Sequence, residues 1–328
     1  MKRVALIIGL VLPLLAVQSQ EQQRVFTAAW WNVENLFDTR DDPNTNDEDF
    51  TPQGELHWTR YKLDRKVQGV AKTLAMMDLP DVVGLAEVEN STVLHELCYG
   101  TALVGTGYKY VHHDSPDKRG IDCALIYRTD RFSVTGHRAV SLSDSAAGFF
   151  TRDILVVEGV TADGDSVCLL LNHWPSKRGG EEAEERRMKA AQTLRGLMLE
   201  LKEKHPSAAI VAMGDMNSTA DEEAIVRGMG FGGDSVSVDG IRNLTLRLPE
   251  GWGSHKYQGV WGYIDQVFLL ADDSWLVGDL KLMRFEHLLT EERSNIGVRP
   301  KRTISGTRYE GGLSDHLPLR LRLKRRAG

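Results

Sequence analysis

Short apolar runs that stop at a polar residue recur along the chain. Their lengths and their content of valine, isoleucine and aromatic residues predict buried β-strands. The main runs, each followed by its polar end, are 26–31 with Asn32, 82–86 with Glu87, 167–171 with Asn172 and His173, and 208–213 with Asp215 and Asn217. Further runs occupy 123–127, 154–157, 267–270 and 317–323. Because strands end at the rims of a sheet, this arrangement predicts a cluster of polar groups at one rim.

Two segments carry apolar residues at steps of three and four, which predicts amphipathic helices. They contain Leu63, Val67, Val70, Leu74 and Met77, and Met188, Ala191, Leu194, Met198 and Leu201. Shorter helices are expected after Asn90 and after Ala220. Strands often follow strands in this order, which favours two packed sheets with helices outside over a regularly alternating barrel. The polar stretch 38–58 is predicted to be a loop, and 249–262 either a substrate-contacting edge or a solvated loop.

The first residues have the three regions of a secretory signal peptide. Met1-Lys2-Arg3 precedes an apolar run over 4–17, and Gln18-Ser19-Gln20 follows it. We therefore predict a signal peptide over 1–19 and a single domain over 20–328. A single-pass anchor is the alternative, but the run is shorter than the roughly 18 apolar residues that span a bilayer. The expectation is a secreted or periplasmic protein without a transmembrane anchor.

Charge and cysteine content argue against a strongly basic nucleic-acid-binding protein, a disulfide-rich protein and a cysteine zinc protein, but they do not identify the partner. The formal net charge is −6, and loss of Lys2 and Arg3 with the signal peptide would make it −8. This weakens an expectation of tight electrostatic binding to nucleic acid, although carboxylates that hold a cation lower the net charge in the same way. The three cysteines, Cys98, Cys123 and Cys168, are too few and too scattered for a disulfide framework or a cysteine zinc site.

The polar strand ends are of the types that a metal-dependent phosphoesterase uses. The set is Asn32, Glu87, His173, Asp215, Asn217, Asp265, Asp315 and His316. Carboxylate and carboxamide oxygens suit Mg²⁺, with Mn²⁺ or Ca²⁺ as alternatives, whereas zinc would draw in cysteine or several histidines. Hydrolysis of a phosphoester needs a cation, a base for water and donors to the phosphate oxygens.

Four segments together resemble the endonuclease/exonuclease/phosphatase superfamily, whose members include deoxyribonuclease I. They are 31–37 (WNVENLF), 84–88 (GLAEV), 214–217 (GDMN) and 314–318 (SDHLP), with the less distinctive 171–176 (LNHWPS) and 263–265 (YID). They occur in the family's order and extend over nearly all of the mature chain. The resemblance implies an α/β (α+β) fold, a four-layer sandwich of two mainly antiparallel sheets packed face to face with helices outside.

The resemblance also implies a set of metal ligands. Glu87 would be the principal ligand, with Asn32 beside it and Asp315 close to the cation. Where the family usually has glutamine before the metal-binding glutamate, this chain has Ala86. This departure affects the expected substrate more than the expected metal.

The catalytic roles follow from the same resemblance. Asp215 and Asn217 would orient the attacking water and the scissile phosphate. His316, held by a carboxylate that we expect to be Asp265, would act as general base, and His173 would donate to a phosphate oxygen or assist the leaving group. A carboxylate next to a histidine fixes its tautomer and stabilises the imidazolium.

Three further residues are weaker candidates. Asp122, just before the run at 123–127, could orient His173, or could be an exposed turn carboxylate. Lys177 and Arg178 could bind a phosphate at the rim, or could belong to a solvated turn. Other polar residues lack such support and are interpreted as surface or loop residues: Glu34, Glu89, His112, His113 and His255.

These observations predict a secreted, Mg²⁺-dependent phosphoesterase that cleaves phosphodiester bonds by in-line attack of water, with a nuclease as the leading function. A lipid or inositol phosphate phosphatase, or a sphingomyelinase-like phosphodiesterase, would use the same residues, because chemistry at phosphorus does not specify the attached alcohol. A non-catalytic binding module is the alternative of a different class. The expected partner is nucleic acid or another phosphoester substrate, and no stable protein partner is indicated.

Overall fold

A computed structural model describes residues 25–292, 294–295 and 297–326. The predicted signal peptide lies outside these residues. The strands, numbered along the chain, are β1 (Val25–Leu36), β2 (Val82–Val88), β3 (Tyr108–His112), β4 (Asp122–Arg128), β5 (Phe132–Val140), β6 (Ile154–Thr161), β7 (Ser166–His173), β8 (Ala209–Asp215), β9 (Arg242–Asn243), β10 (His255–Tyr257), β11 (Val260–Gly262), β12 (Asp265–Leu270), β13 (Trp275–Leu282), β14 (Leu289–Glu291), β15 (Val298–Pro300), β16 (Ile304–Ser305), β17 (Arg308–Tyr309) and β18 (Leu319–Arg325).

Most of these strands form two six-stranded sheets. The first has the order β13-β18-β1-β2-β4-β3 and the second the order β5-β6-β7-β8-β12-β9. Only β1 with β2 and β7 with β8 pair in parallel among the described strands of these sheets. The prediction of two mainly antiparallel sheets is therefore confirmed.

Alternation along β7 shows how the sheets are layered. Leu169 and Leu171 belong to the core between the sheets, whereas Cys168 and Leu170 belong to a second core under a helix. Successive side chains of a strand point to opposite faces, so a strand covered on both sides reads as a continuous apolar run. Gly84 of β2 allows close contact, because a Cβ there would lie 2.6 Å from Cδ2 of Leu171.

Three α-helices cover the outer faces of the described sheets: α1 (Arg60–Met76), α2 (Ser91–Tyr99) and α3 (Gly180–Lys204). The periodic positions predicted for α1 and α3 are buried, apart from the half-buried Met188, and Met77 lies at the C-cap of α1. Asn90 caps α2 by accepting from the backbone N–H groups of Thr92 and Val93. The helix expected after Ala220 is a single π-helical turn at Ala224–Gly228. Among the described residues, no helix combines the length and apolar character that crossing a membrane requires.

The two predicted loops differ in content. Segment 38–58 is irregular apart from one 3₁₀ turn at Glu48–Phe50. Segment 249–262 contains the β10–β11 hairpin, which packs against β15. An isolated bridge between His255 and His316 brings the start of this hairpin to the rim of the sheets.

Candidate active site

The predicted site residues lie at the ends of neighbouring strands. Asn32 lies near the end of β1 and pairs with Ala86, so Glu87 follows on the adjacent parallel strand. In the second sheet His173 pairs with Asp215, and Asp215 pairs with Asp265. The register of both sheets therefore carries these side chains to one rim.

Asn32 links the two sheets. Its Nδ2 donates to Glu87 Oε1 at 3.3 Å and to Asp215 Oδ2 at 3.1 Å. Its Oδ1 accepts from the backbone N–H of Glu34 at 2.9 Å, so the amide nitrogen faces the carboxylates. The backbone N–H of Asn35 donates to Glu87 Oε2 at 2.9 Å. The side-chain amide of Asn32 thus bridges the carboxylates of Glu87 and Asp215, which belong to different sheets.

His316 is held by a buried carboxylate, which is Asp265 as the sequence suggested. The distance from His316 Nδ1 to Asp265 Oδ2 is 2.7 Å, and Trp30 Nε1 donates to Asp265 Oδ1 at 2.7 Å. His316 Nε2 points to Asp215, with Oδ2 at 3.6 Å. Burial disfavours the imidazolium, but Asp265 and Asp215 outweigh burial and raise the pKa of His316 well above its ordinary value.

His173 lies on the opposite side of Asp215. Its Nε2 is 3.7 Å from Asp215 Oδ2 and 3.9 Å from Glu87 Oε1. Burial, together with the positive charges of Arg152 and Arg119, lowers the pKa of His173 well below its ordinary value. The neutral imidazole is therefore its stable form near pH 7.

The predicted contact between Asp122 and His173 is wrong. Nδ1 of His173 has no hydrogen-bond partner among the described residues. Asp122 Oδ1 accepts from the backbone N–H of Ser115 at 3.0 Å, and Oδ2 lies 3.3 Å from His112 Nε2. The loop before β4 therefore turns this buried carboxylate towards β3.

Asp215 and Asn217 are joined through the backbone. The N–H of Asn217 donates to Asp215 Oδ1 at 2.9 Å, and its side-chain amide donates to the carbonyl of Trp174 at 3.0 Å. Asn217 has a φ of +47° and Glu87 a φ of +61°, an unusual backbone conformation for non-glycine residues. Such conformations persist where the surrounding structure enforces them, often at functional sites. Burial raises the pKa of Asp215 to about 7, against the lowering effect of His316.

Asp315 contacts two residues that sequence reasoning did not select. Arg302 donates to Asp315 Oδ2 at 2.5 Å, and His255 Nε2 lies 3.9 Å from the same oxygen. The ring of His255 packs against that of His316 with centroids 4.8 Å apart. Burial, then the charge of His316, lowers the pKa of His255 to about 4. The assignment of His255 to the surface is wrong; its place in the segment 249–262 was the available signal.

Glu34 and Glu89 are also buried, not on the surface. Glu34 Oε2 accepts from the backbone N–H of Thr303 at 2.7 Å, and the ammonium of buried Lys66 donates to the carbonyl oxygen of Glu34. Burial raises the pKa of Glu34 to about 8 and lowers that of Lys66 to about 8. These buried contacts hold the backbone of Glu34, two residues after Asn32, in place.

Lys177 and Arg178 lie outside the cluster. Lys177 is exposed and forms an ion pair with Glu222. Arg178 is exposed and makes no hydrogen bond or ion pair with the described residues. Their role in binding phosphate stays a prediction.

The cluster fits a hard divalent cation. Carboxylate oxygens of Glu87 and Asp215 lie 3.9 and 3.7 Å from His173 Nε2, and those of Asp215 and Asp315 lie 3.6 and 3.9 Å from His316 Nε2, so the three carboxylates meet at one rim. Oxygen donors of this kind suit Mg²⁺, Mn²⁺ or Ca²⁺.

Residues 27–325 match the model of the endonuclease/exonuclease/phosphatase family. The chain belongs to this family. A region of 235 residues, 66% of this chain, is 26% identical to the protein angel of Drosophila melanogaster and spans 60% of that protein's length.

Solved structures share the fold of this family member. D. rerio TDP2 in complex with a single-strand DNA product has a TM-score of 0.59 at 15% identity, over 92% of this chain and 99% of that one. A mannosyl-6-phosphatase of Bacteroides thetaiotaomicron has a TM-score of 0.57 at 16% identity, over 91% and 99%.

Proposed function

We propose that this endonuclease/exonuclease/phosphatase family member is an exported, Mg²⁺-dependent nuclease that hydrolyses phosphodiester bonds by in-line attack of water. The observation that carries the proposal is the convergence of Glu87, Asp215 and Asp315 with His316 and His173, which supplies carboxylates for a cation and two imidazoles with opposite pKa shifts. The bound cation would be held by Glu87 and Asp315, with Asn32 beside them, and would neutralise charge that develops on the phosphoryl oxygens.

Side chains of the protein carry out proton transfer, bind the phosphate and orient the water. Water attacks phosphorus as the ester P–O bond breaks, unprotonated His316 accepts the water's proton at Nε2, and Asp265 stabilises the imidazolium that forms. The leaving alkoxide takes a proton from solvent. His173 donates a hydrogen bond to a non-bridging oxygen and does not transfer a proton, because its lowered pKa leaves the ring neutral near pH 7. Asp215, between the two histidines, orients the water, and Asn217, whose backbone N–H donates to Asp215, positions the phosphate.

The fold is compatible with more than one ester, since the solved neighbours include a DNA-bound protein and a sugar phosphatase. A phosphomonoesterase is the second candidate, and one observation favours it. A groove of about 1030 Å³ begins at Glu89, two residues after Glu87, and is lined by the carboxylates Asp42, Asp114, Asp117 and Asp122. We call it the acidic groove. It would repel an extended polyanion and accept a small phosphate ester more easily.

An assay with several substrates tests the proposal. Plasmid DNA, RNA, bis(p-nitrophenyl) phosphate, p-nitrophenyl phosphate and phosphoinositides are incubated with the chain and Mg²⁺, with EDTA and His316→Ala as controls. Turnover of DNA or RNA supports the nuclease. Turnover of phosphomonoesters or lipid headgroups alone would refute it in favour of the second candidate, and binding without turnover of any ester would indicate a non-catalytic module.

Export is the part of the proposal that rests on residues 1–19 alone. Expression of the full chain in a bacterial host should give a mature protein in the periplasm or medium that begins near Gln20. N-terminal sequencing of the fractionated protein measures this. An uncleaved chain in the cytosol would contradict export and leave the chemistry unaffected.

A further inference from the structure

The acidic groove contains a histidine and a carboxylate that the active site does not use. His112 is the last residue of β3 and pairs with Ala124 of β4. Asp122 lies two residues before Ala124, so its side chain is on the same face of the sheet as that of His112. Both side chains are more than nine-tenths buried, with 6% and 4% of their surfaces exposed. Register therefore places an imidazole next to a carboxylate in the wall of the groove.

The two groups approach each other without a hydrogen bond. His112 Nε2 is 3.3 Å from Asp122 Oδ2, yet it has no hydrogen-bond partner among the described residues. Asp122 is held in place because its Oδ1 accepts from the backbone N–H of Ser115 at 3.0 Å. A buried ring nitrogen without a partner is unusual in a folded protein.

The distance between His112 Nε2 and Asp122 Oδ2 matches the spacing of two ligands of one metal ion. Zinc binds imidazole nitrogen at about 2.0–2.1 Å and carboxylate oxygen at about 2.0–2.2 Å, so a tetrahedral angle separates the two donors by roughly 3.3–3.5 Å. Asp114 supplies a third donor, because the three residues offer one ligand atom each within 4.8 Å of one another. Asp114 Oδ1 lies 3.7 Å from Nδ1, the other ring nitrogen of His112, so this 89% exposed side chain must turn, or bind through a water, to reach an ion on Nε2.

We propose that His112, Asp122 and Asp114 bind a divalent transition-metal ion, with Zn²⁺ as the best match. A mixed nitrogen and oxygen set suits zinc, whereas the carboxylates of the active site suit a harder ion. The carboxylate of Asp42 adds negative charge to the groove against the ammonium of Lys118, whereas burial raises the pKa of Glu89 to about 8 and keeps that side chain largely neutral. The ion fixes the loop between β3 and β4 to the sheet, and water completes its coordination.

The experiment measures Zn²⁺ binding and does not depend on catalysis. Isothermal titration with Zn²⁺ is carried out on the full chain carrying Glu87→Gln, which weakens the active-site cation site. His112→Ala and Asp122→Asn are each added to this background, with His95→Ala as the matched control, because His95 is exposed on α2. We expect one binding event to weaken at least tenfold in the first two variants and to stay unchanged in the control. X-ray absorption of the one-to-one complex should show a single imidazole with oxygen donors.

Equal affinity and stoichiometry in His112→Ala and Asp122→Asn would overturn the proposal. So would an absorption spectrum without imidazole, or one with a sulfur donor, which would assign the ion to Cys168 near Glu158 and His205. Circular dichroism checks the fold of each variant. If a variant does not fold, His316→Ala in the Glu87→Gln background decides: unchanged Zn²⁺ binding supports the proposed site, and its loss assigns the ion to Asp215, Asp265 and His316.

Discussion

Two histidines in the candidate active site have opposite proton affinities because their neighbours differ. His316 lies 2.7 Å from Asp265 and 3.6 Å from Asp215, and these carboxylates outweigh burial. His173 is equally buried but feels Arg152 and Arg119, so burial and charge act together to lower its pKa. The same side chain is therefore suited to accept a proton in one position and to donate a hydrogen bond in the other.

Asp265→Asn tests the role of His316 as proton acceptor. The substitution keeps an acceptor for the indole N–H of Trp30 but removes the charge that raises the pKa of His316. Since the base must be unprotonated, a lower pKa should move the acidic limb of the kcat/KM profile to lower pH. The value of kcat should fall by about two to four orders of magnitude.

A pH–rate profile of both proteins measures this, with His316→Ala as the variant that lacks the base. An acidic limb that stays at the same pH in Asp265→Asn would exclude the pair as the source of the limb.

Glu87→Gln tests the metal site. A neutral amide replaces a charged ligand of nearly equal shape, and the backbone N–H of Asn35 still has an oxygen to donate to. The Mg²⁺ concentration for half-maximal activity should rise about tenfold or more, with activity recovered at high Mg²⁺. Removal of metal by EDTA should abolish the activity of the parent protein. Loss of activity that no Mg²⁺ concentration restores would count against Glu87 as a ligand.

Close packing between β2 and β7 brings together the two sheets that carry the site, one with Glu87 and the other with Asp215. Gly84 has no Cβ, and one would lie 2.6 Å from Leu171 Cδ2 and 2.9 Å from the ring of Trp30. Any side chain at this position would push the sheets apart. The sheet that carries Glu87 would then move away from the sheet that carries Asp215.

Gly84→Ala should lower the free energy of unfolding by about 1–3 kcal/mol through overpacking. Gly196→Ala is the matched control, because Gly196 is exposed on α3 and a Cβ there meets nothing within 4 Å. Alanine should stabilise that helix by about 0.5–1 kcal/mol. Urea denaturation measures both changes. Equal effects of the two substitutions would mean that contact between the sheets is not what Gly84 provides.

Three buried thiols allow opening of the packed layers to be measured, because each becomes reactive only when the layer that covers it opens. Cys98 lies on α2, Cys123 on β4 and Cys168 on β7, and all three are free and buried. Burial raises the pKa of Cys98 and Cys168 to about 12, and raises that of Cys123 as well. The reactive thiolate is therefore scarce at pH 8.

The native protein should not react with a thiol reagent such as 5,5′-dithiobis(2-nitrobenzoate) at pH 8, and three thiols per chain should react in guanidinium chloride. Absorbance of the released thiolate measures the count. Reaction of one thiol within minutes in the native protein would show that the layer covering it opens locally.

Much of the fold was predictable because local patterns determine it. Periodic apolar residues predicted α1 and α3, and short apolar runs predicted the four inner strands of each sheet. The edge strands β3, β5, β9 and β13 were missed, because none of them has a continuous apolar run. The β10–β11 hairpin was missed, because its strands are three residues long and mostly half-exposed, so no apolar run marks them.

The contacts within the site were less predictable. His316 with Asp265 followed from residue types that the resemblance aligned, but His255 beside His316 depends on a bridge between segments about sixty residues apart. Asp122 turned to His112 and not to His173, because the backbone of Ser115 fixes its carboxylate. Such choices depend on the path of a loop, which no periodic pattern encodes.

The available chemistry was readable from the sequence, since residue types at strand ends and their order are properties of the chain. How those groups act depends on the folded protein. Burial and the register of two sheets set the pKa difference between His316 and His173, and they placed His112 and Asp122 in a groove away from the histidines of the site. The physical reason is that electrostatic and metal-binding properties depend on distances of a few ångströms between residues far apart in sequence.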